Sequence, residues 1–92
     1  MAITVYLSGH LKSYTGGDTQ TQLNADLTTV GETLDSLWKV YPALRDRVLN
    51  EQGEIRQHVN IFVGSDDVKR LKGLATPVKS NELHIFNAVS GG

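Results

Sequence analysis

Two glycines, Gly91 and Gly92, close the chain directly behind Leu83-His84-Ile85-Phe86-Asn87-Ala88-Val89-Ser90. A Gly-Gly end contributes nothing to a core and ordinarily frays. It has a use where the terminal carboxylate is itself the reagent. Glycine has no Cβ and adopts backbone conformations closed to other residues, so such a tail can thread a narrow cleft. An enzyme beyond that cleft could then reach the carboxylate and activate it. Gly92 is therefore the candidate reactive residue, and Gly91 and Ser90 supply clearance.

The other residues with chemical potential form weaker patterns. His10, His58 and His84 lack paired metal-ligand spacing, so they read as surface or strand histidines and no metal is expected. Asp66-Asp67 has no further carboxylates at loop-ligand spacing and reads as a solvated turn. Ser, His and Asp all occur, but no nucleophile motif holds them. Lys69, Arg70 and Lys72 form a short basic run, either a solvated face or a partner contact. The sequence contains no cysteine, which excludes a disulfide framework, a thiolate metal site and a side-chain persulfide. No cofactor is expected.

Ninety-two residues, 39% hydrophobic and 21% charged, suit one globular domain with one modest core. That leaves little room for a deep catalytic cavity. Nine Lys+Arg against ten Asp+Glu give a net charge of −1, no electrostatic footprint for nucleic acid or an acidic membrane surface. No apolar run approaches the ~20 residues of a membrane span. Met1-Ala2-Ile3-Thr4-Val5-Tyr6-Leu7 lacks the basic lead and cleavage pattern of a signal peptide, so a cytoplasmic protein is expected.

The elements that must position the tail follow from periodicity. Ile3, Val5 and Leu7 alternate with Thr4, Tyr6 and Ser8, a half-buried strand. Gly9 to Gly17 reads as a loop, and Thr19 to Leu23 as a second, edge-like strand. Thr29-Val30-Gly31-Glu32 fits a capping box that opens a helix. Val30, Leu34, Leu37, Trp38 and Tyr41 form its apolar face. Pro42 ends it, and Ala43 to Leu49 allows a short second helical turn. Asn50 to Gln57 reads as a loop. Val59 to Val63 is the clearest later strand, Gly64 to Asp67 a turn, Val68 to Leu71 a short strand or turn, and Leu83 to Val89 the final strand. The order is β-β-α-(α)-β-β-β, an α+β domain in which one main helix packs across one face of a mixed sheet. The inward sets are Ile3, Val5, Leu7; Val59, Ile61, Val63; and Leu83, Ile85, packed on Leu34, Leu37 and Trp38. Residues 1–87 make the domain and residues 88–92 a flexible tail.

With these elements in place the chain resembles the ubiquitin-like β-grasp sulfur-carrier family. That family includes the small subunit of molybdopterin synthase, the thiamine-thiazole sulfur carrier and a carrier serving a cysteine-synthesis pathway. The resemblance spans essentially the whole chain. It rests on Ile3-Thr4-Val5-Tyr6-Leu7, Val59-Asn60-Ile61-Phe62-Val63, Gly73-Leu74-Ala75-Thr76 and, most specifically, Phe86-Asn87-Ala88-Val89-Ser90-Gly91-Gly92. Two positions depart from the molybdopterin-type pattern. Many such members carry Pro where Asn87 and Ala88 stand, and an Asp-Gly turn where this chain has Ser80-Asn81.

The resemblance implies a β-grasp fold and a carrier rather than an enzyme. It also implies two partners, an ATP-dependent adenylating (E1-like) enzyme and a sulfur-acceptor synthase subunit, in a molybdopterin or cysteine pathway. The chemistry is consistent with this. A terminal carboxyl, with an unperturbed pKa of about 3.3–3.7, is an anion at neutral pH and a poor acyl donor. Conversion to an acyl-adenylate supplies a leaving group, and a sulfide or persulfide can then leave a thiocarboxylate on Gly92. With no thiol on the protein, sulfur can ride only on the terminus. The residues from Ala88 onward reach about 17 Å when extended, enough to enter a neighbouring active site.

In such a sheet the first strand lies beside the last, and the last beside Val59 to Val63. Tyr6, Phe62 and Phe86 then alternate away from the helix. They are expected to form an exposed aromatic stripe that docks partners, with Val89 at the root of the tail. The alternative is a set of isolated aromatics partly covered by loops. Two further function classes share these residues. One is a protein modifier conjugated through Gly92 to lysines, and the other a non-catalytic interaction domain.

Overall fold

Ile3, Val5 and Leu7 point into the core from β1 (Ala2–Leu7), while Thr4 and Tyr6 on the opposite face are half-buried. The computed structural model describes residues 2–24 and 29–87. The second strand, β2 (Gln20–Asn24), runs antiparallel to β1 with Ile3 opposite Leu23 and Tyr6 opposite Gln20. It starts one residue later than the sequence predicts, although the Thr19 carbonyl already accepts from the Leu7 amide at 2.8 Å. The segment read as a plain loop is partly a 3₁₀ helix, Gly9–Tyr14. Leu11 is fully buried there, and anchoring that one side chain orders the segment.

Thr29 caps the helix as predicted. The Glu32 amide donates to Thr29 Oγ1 at 3.2 Å, and the Thr29 hydroxyl donates to Glu32 Oε1 at 3.1 Å. This opens α1 (Val30–Val40), which buries Val30, Leu34 and Leu37 against the sheet, with Trp38 and Tyr41 partly buried at its side. Gly31 lets the start of α1 come close to a neighbouring turn, because a Cβ there would stand 3.2 Å from the Leu74 carbonyl oxygen. After Tyr41, Pro42–Leu44 forms a 3₁₀ turn that leads into α2 (Arg45–Val48). Leu44 and Val48 are fully buried, so this short element closes one end of the core.

The strand β3 (Val59–Val63) alternates as predicted, with Val59, Ile61 and Val63 inward. The segment after it differs from the sequence reading. Asp66 and Asp67, read as part of a turn, form β4 (Asp66–Asp67), opposite Val63 and Phe62. Gly64 makes the reversal at φ +60. Val68–Arg70, read as a short strand or turn, is a 3₁₀ turn whose Lys69 amide donates to Asp67 Oδ1 at 3.0 Å. A second 3₁₀ turn, Gly73–Ala75, precedes the buried Thr76. The Thr76 carbonyl accepts from the Val30 amide at 2.9 Å and ties this segment to the start of α1.

The last strand, β5 (Glu82–Asn87), lies at the centre. The order among the described residues is β2-β1-β5-β3-β4. β5 runs parallel to β1, with Val5 opposite Leu83 and Leu7 opposite Ile85, and antiparallel to β3, with Ile61 opposite Ile85. A parallel neighbour requires a crossover connection. α1 lies in that crossover and covers the apolar face of the sheet. The mixed sheet and single main helix are those of a β-grasp fold. Among the described residues no helix is long and apolar enough to cross a membrane.

Candidate functional site

Period-two alternation along β5 sends Leu83 and Ile85 inward and leaves Glu82, His84 and Phe86 on the outward face. Pairing then sets what stands beside them. Tyr6 is opposite His84 on one side and Phe62 is opposite His84 on the other, so the three form one rung across three strands. Phe86 is opposite Asn60, diagonal to Phe62. The rings meet in two stacked pairs. Tyr6 and His84 have centroids 4.7 Å apart at 13°, and Phe62 and Phe86 have centroids 5.4 Å apart at 19°.

The structure thus brings the predicted Tyr6, Phe62 and Phe86 onto one outward face, as paired rings rather than isolated ones. Phe86 is 37% exposed, and Tyr6, Phe62 and His84 are half-buried. The reading from sequence missed His84, whose imidazole fills the middle of the face. The same two-residue spacing that marked Phe86 would have found it. Its Nε2 lies 3.2 Å from Glu82 Oε1, so the face carries a polar edge beside the rings.

Asn87 is opposite Val59 and is the last described residue of β5. The remaining predicted site residues, Val89, Ser90, Gly91 and Gly92, lie outside the described residues. The aromatic face runs up to that end of β5 through Phe86.

Other candidates resolve into structural roles. Lys69 donates from Nζ to the carbonyls of Arg56 at 3.2 Å and Gln57 at 2.8 Å, so this member of the basic run braces the segment before β3. Trp38 packs against the core. Tyr41 donates to Asp18 Oδ2 at 2.7 Å. That hydrogen bond, helped by burial, holds its phenol above the ordinary tyrosine value, and a weaker contact with Thr21 opposes it. Among the described residues no group of three or more His, Asp or Glu side chains could hold a metal ion. The described outward face thus consists of stacked rings with a polar edge, on a strand that leads towards the chain's end.

Comparison with known proteins fits this geometry. Residues 5–92 match the ThiS family. The sulfur carrier protein CysO of Mycobacterium tuberculosis is 32% identical over 95 residues, covering 100% of both chains. Small archaeal modifier protein 1 of Haloferax volcanii is 39% identical over 64 residues, covering 70% of each. Among solved structures, the crystal structure of the Amycolatopsis orientalis BexX/CysO complex contains a chain that superposes with a TM-score of 0.83 at 30% identity. That match covers 98% of this chain and 99% of the other.

Proposed function

Because this chain belongs to the ThiS family, we propose that it is a sulfur carrier whose Gly92 carboxylate is the group that carries the sulfur. The observation behind this reading is the match to a sulfur carrier over the whole of both chains, together with a family match that runs through residue 92. In this reading residues 1–87 are the domain that partners recognise, and residues 88–92 are the tail they act on.

The chemistry has two steps. A Gly92 carboxylate oxygen attacks the α-phosphorus of ATP in the adenylating enzyme, and pyrophosphate leaves. A sulfide then attacks the carbonyl carbon of the acyl-adenylate, AMP leaves, and Gly92 holds a thiocarboxylate. A sulfur-acceptor synthase subunit takes the sulfur in a molybdopterin or cysteine pathway. The chain supplies the reacting carboxylate and the surface that delivers it. Catalysis belongs to the partners, and ATP use fits a cytoplasmic setting. Gly91 and Ser90 give the tail a thin cross-section, and the face formed by Tyr6, Phe62 and Phe86, with Val89 at the tail's root, docks the partner. The BexX/CysO complex, which contains a chain of the same fold, supports the idea that such a domain docks a partner protein.

The similarity to small archaeal modifier protein 1 favours one second reading, conjugation through Gly92 to lysines of other proteins. Both readings share the adenylation step and separate by mass. Protein isolated from its native cell should show one oxygen replaced by sulfur at the terminus if it is a carrier. Covalent adducts with other proteins would indicate a modifier. Detection of neither species would return it to a simple interaction domain.

A further inference from the structure

Where β5 stops, a concavity of about 240 Å³ opens between the 3₁₀ segment after β1, α2 and the residues leading into β3. It is lined by His10, Tyr14, Arg47, Arg56 and His58 and, among the described residues, by no carboxylate. Its place relative to the tail follows from strand register. His58 precedes Val59, which is opposite Asn87. His10 stands two residues after Ser8, whose amide donates to the Ile85 carbonyl at 3.0 Å. The two histidines therefore come from chain segments that flank the end of β5 on either side.

Both guanidinium groups are held by uncharged partners. Arg47 lies over the Tyr14 ring, with Cζ 4.7 Å from the centroid. Arg56 donates through Nε to the Asp46 backbone carbonyl at 2.9 Å. Among the described residues neither arginine forms an ion pair, and Asp46, the carboxylate nearest in sequence to Arg47, pairs with Arg45 instead. Two oriented cations thus line one concavity and, among the described residues, no carboxylate lines it with them, in a molecule whose net charge is −1. Like charges placed together repel, and a bound anion removes that repulsion.

The geometry points to an oxyanion-binding pocket formed by Arg47, Arg56, His10 and His58, suited to a phosphate-class anion. The guanidinium fork matches the oxygens of both phosphate and carboxylate. A single carboxylate would occupy one fork and leave the other cation uncompensated. A phosphate has more oxygens and more charge, so it can engage both arginines and still accept from an imidazole. The pocket is independent of how Gly92 reacts. Its occupancy would change the charge at the corner of the domain from which the tail departs.

The test is a proton–nitrogen NMR titration of the intact chain with sodium phosphate, sodium pyrophosphate and AMP, at ionic strength held constant with sodium chloride. Phosphate and pyrophosphate should give saturable shifts centred on the amides of His10, Arg47, Arg56 and His58, with pyrophosphate the tighter. Saturation by AMP on the same amides would identify a nucleotide phosphate as an acceptable source, whereas saturation by phosphate and pyrophosphate alone would identify the free ion. Arg47→Gln should weaken pyrophosphate by roughly tenfold, the scale of one lost charge-assisted contact. His58→Gln provides a second variant that leaves the Arg47–Tyr14 contact in place, and it should also weaken binding. Shifts that never saturate, an equal response to sodium acetate, or unchanged affinity in both variants would overturn the site. Tighter binding of an oligoglutamate peptide than of pyrophosphate would overturn it in favour of a protein-docking corner.

Discussion

Tyr41 and Asp18 join the end of α1 to the connection between β1 and β2 through one 2.7 Å hydrogen bond. The fold raises the phenol's pKa above its ordinary value, so the folded state favours the protonated form. This contribution to stability is complete below the pKa of a free tyrosine, about 10, and is lost as pH rises through the higher folded value. Asp18→Asn removes the charge and should move the Tyr41 titration down towards the ordinary range, followed by NMR of ring-labelled tyrosine. An unmoved titration would show that Asp18 does not set it. The outward rings give a second test at this scale. Phe62→Ala and Phe86→Ala should each weaken partner binding by roughly 1–3 kcal/mol if they stand at the centre of an interface. Leu37→Ala, which opens a cavity in the buried core, should instead cost about 2–5 kcal/mol of stability. Calorimetry with the adenylating enzyme and urea unfolding separate the two effects. A Phe62/Phe86 double variant that binds as tightly as the parent would remove the docking role.

Thr29→Ala removes the hydroxyl that caps α1 and should lower stability by about 1 kcal/mol, read as a shift in the unfolding midpoint. An unchanged midpoint would mean that the tie between Val30 and Thr76 alone holds the start of α1. Gly64→Ala places a Cβ at φ +60 and 3.3 Å from Ser80 Oγ, so it should cost about 1–2 kcal/mol by the same measurement. These elements also show how far the sequence could be read. Strict alternation fixed the inward faces of β1, β3 and β5, and one four-residue cap fixed the start of α1, because each pattern is local. β4 could not be read this way. Two aspartates have no strand propensity of their own, and only pairing with Phe62 and Val63 makes them a strand. The segment after β1 holds a single buried leucine among polar residues, too sparse a pattern to announce a helix. The aromatic face was legible because its members alternate on strands. The cationic pocket was not, since its residues come from three separated segments that only the folded chain brings together.

At the scale of the whole molecule, the domain and the tail are expected to fail separately. Deleting Gly92, or adding one residue after it, should abolish sulfur transfer and leave the folded circular dichroism spectrum unchanged, because a Gly-Gly end contributes nothing to a core. Delivery of sulfur by an untrimmed, extended chain would disprove the carboxylate role. Gly91→Ala should fold normally and lower kcat/KM for adenylation, since a Cβ obstructs a tight channel or bars a glycine-only conformation. An unchanged value would argue for a wide channel. The parallel pairing of β1 with β5 has a separate, mechanical consequence. Because the two strands run the same way, Ala2 lies at one end of the sheet and Asn87 at the other. Tension applied between them pulls the strands past each other and loads the rungs from Thr4–Glu82 to Leu7–Ile85 together, in shear. A hairpin pulled at its open end yields one rung at a time. A carrier gripped by its tail and pulled from its opposite end should therefore resist extension. Single-molecule force measurements through residues 2 and 87 should record a higher rupture force than pulling through β1 and β2, where the antiparallel pair can unzip.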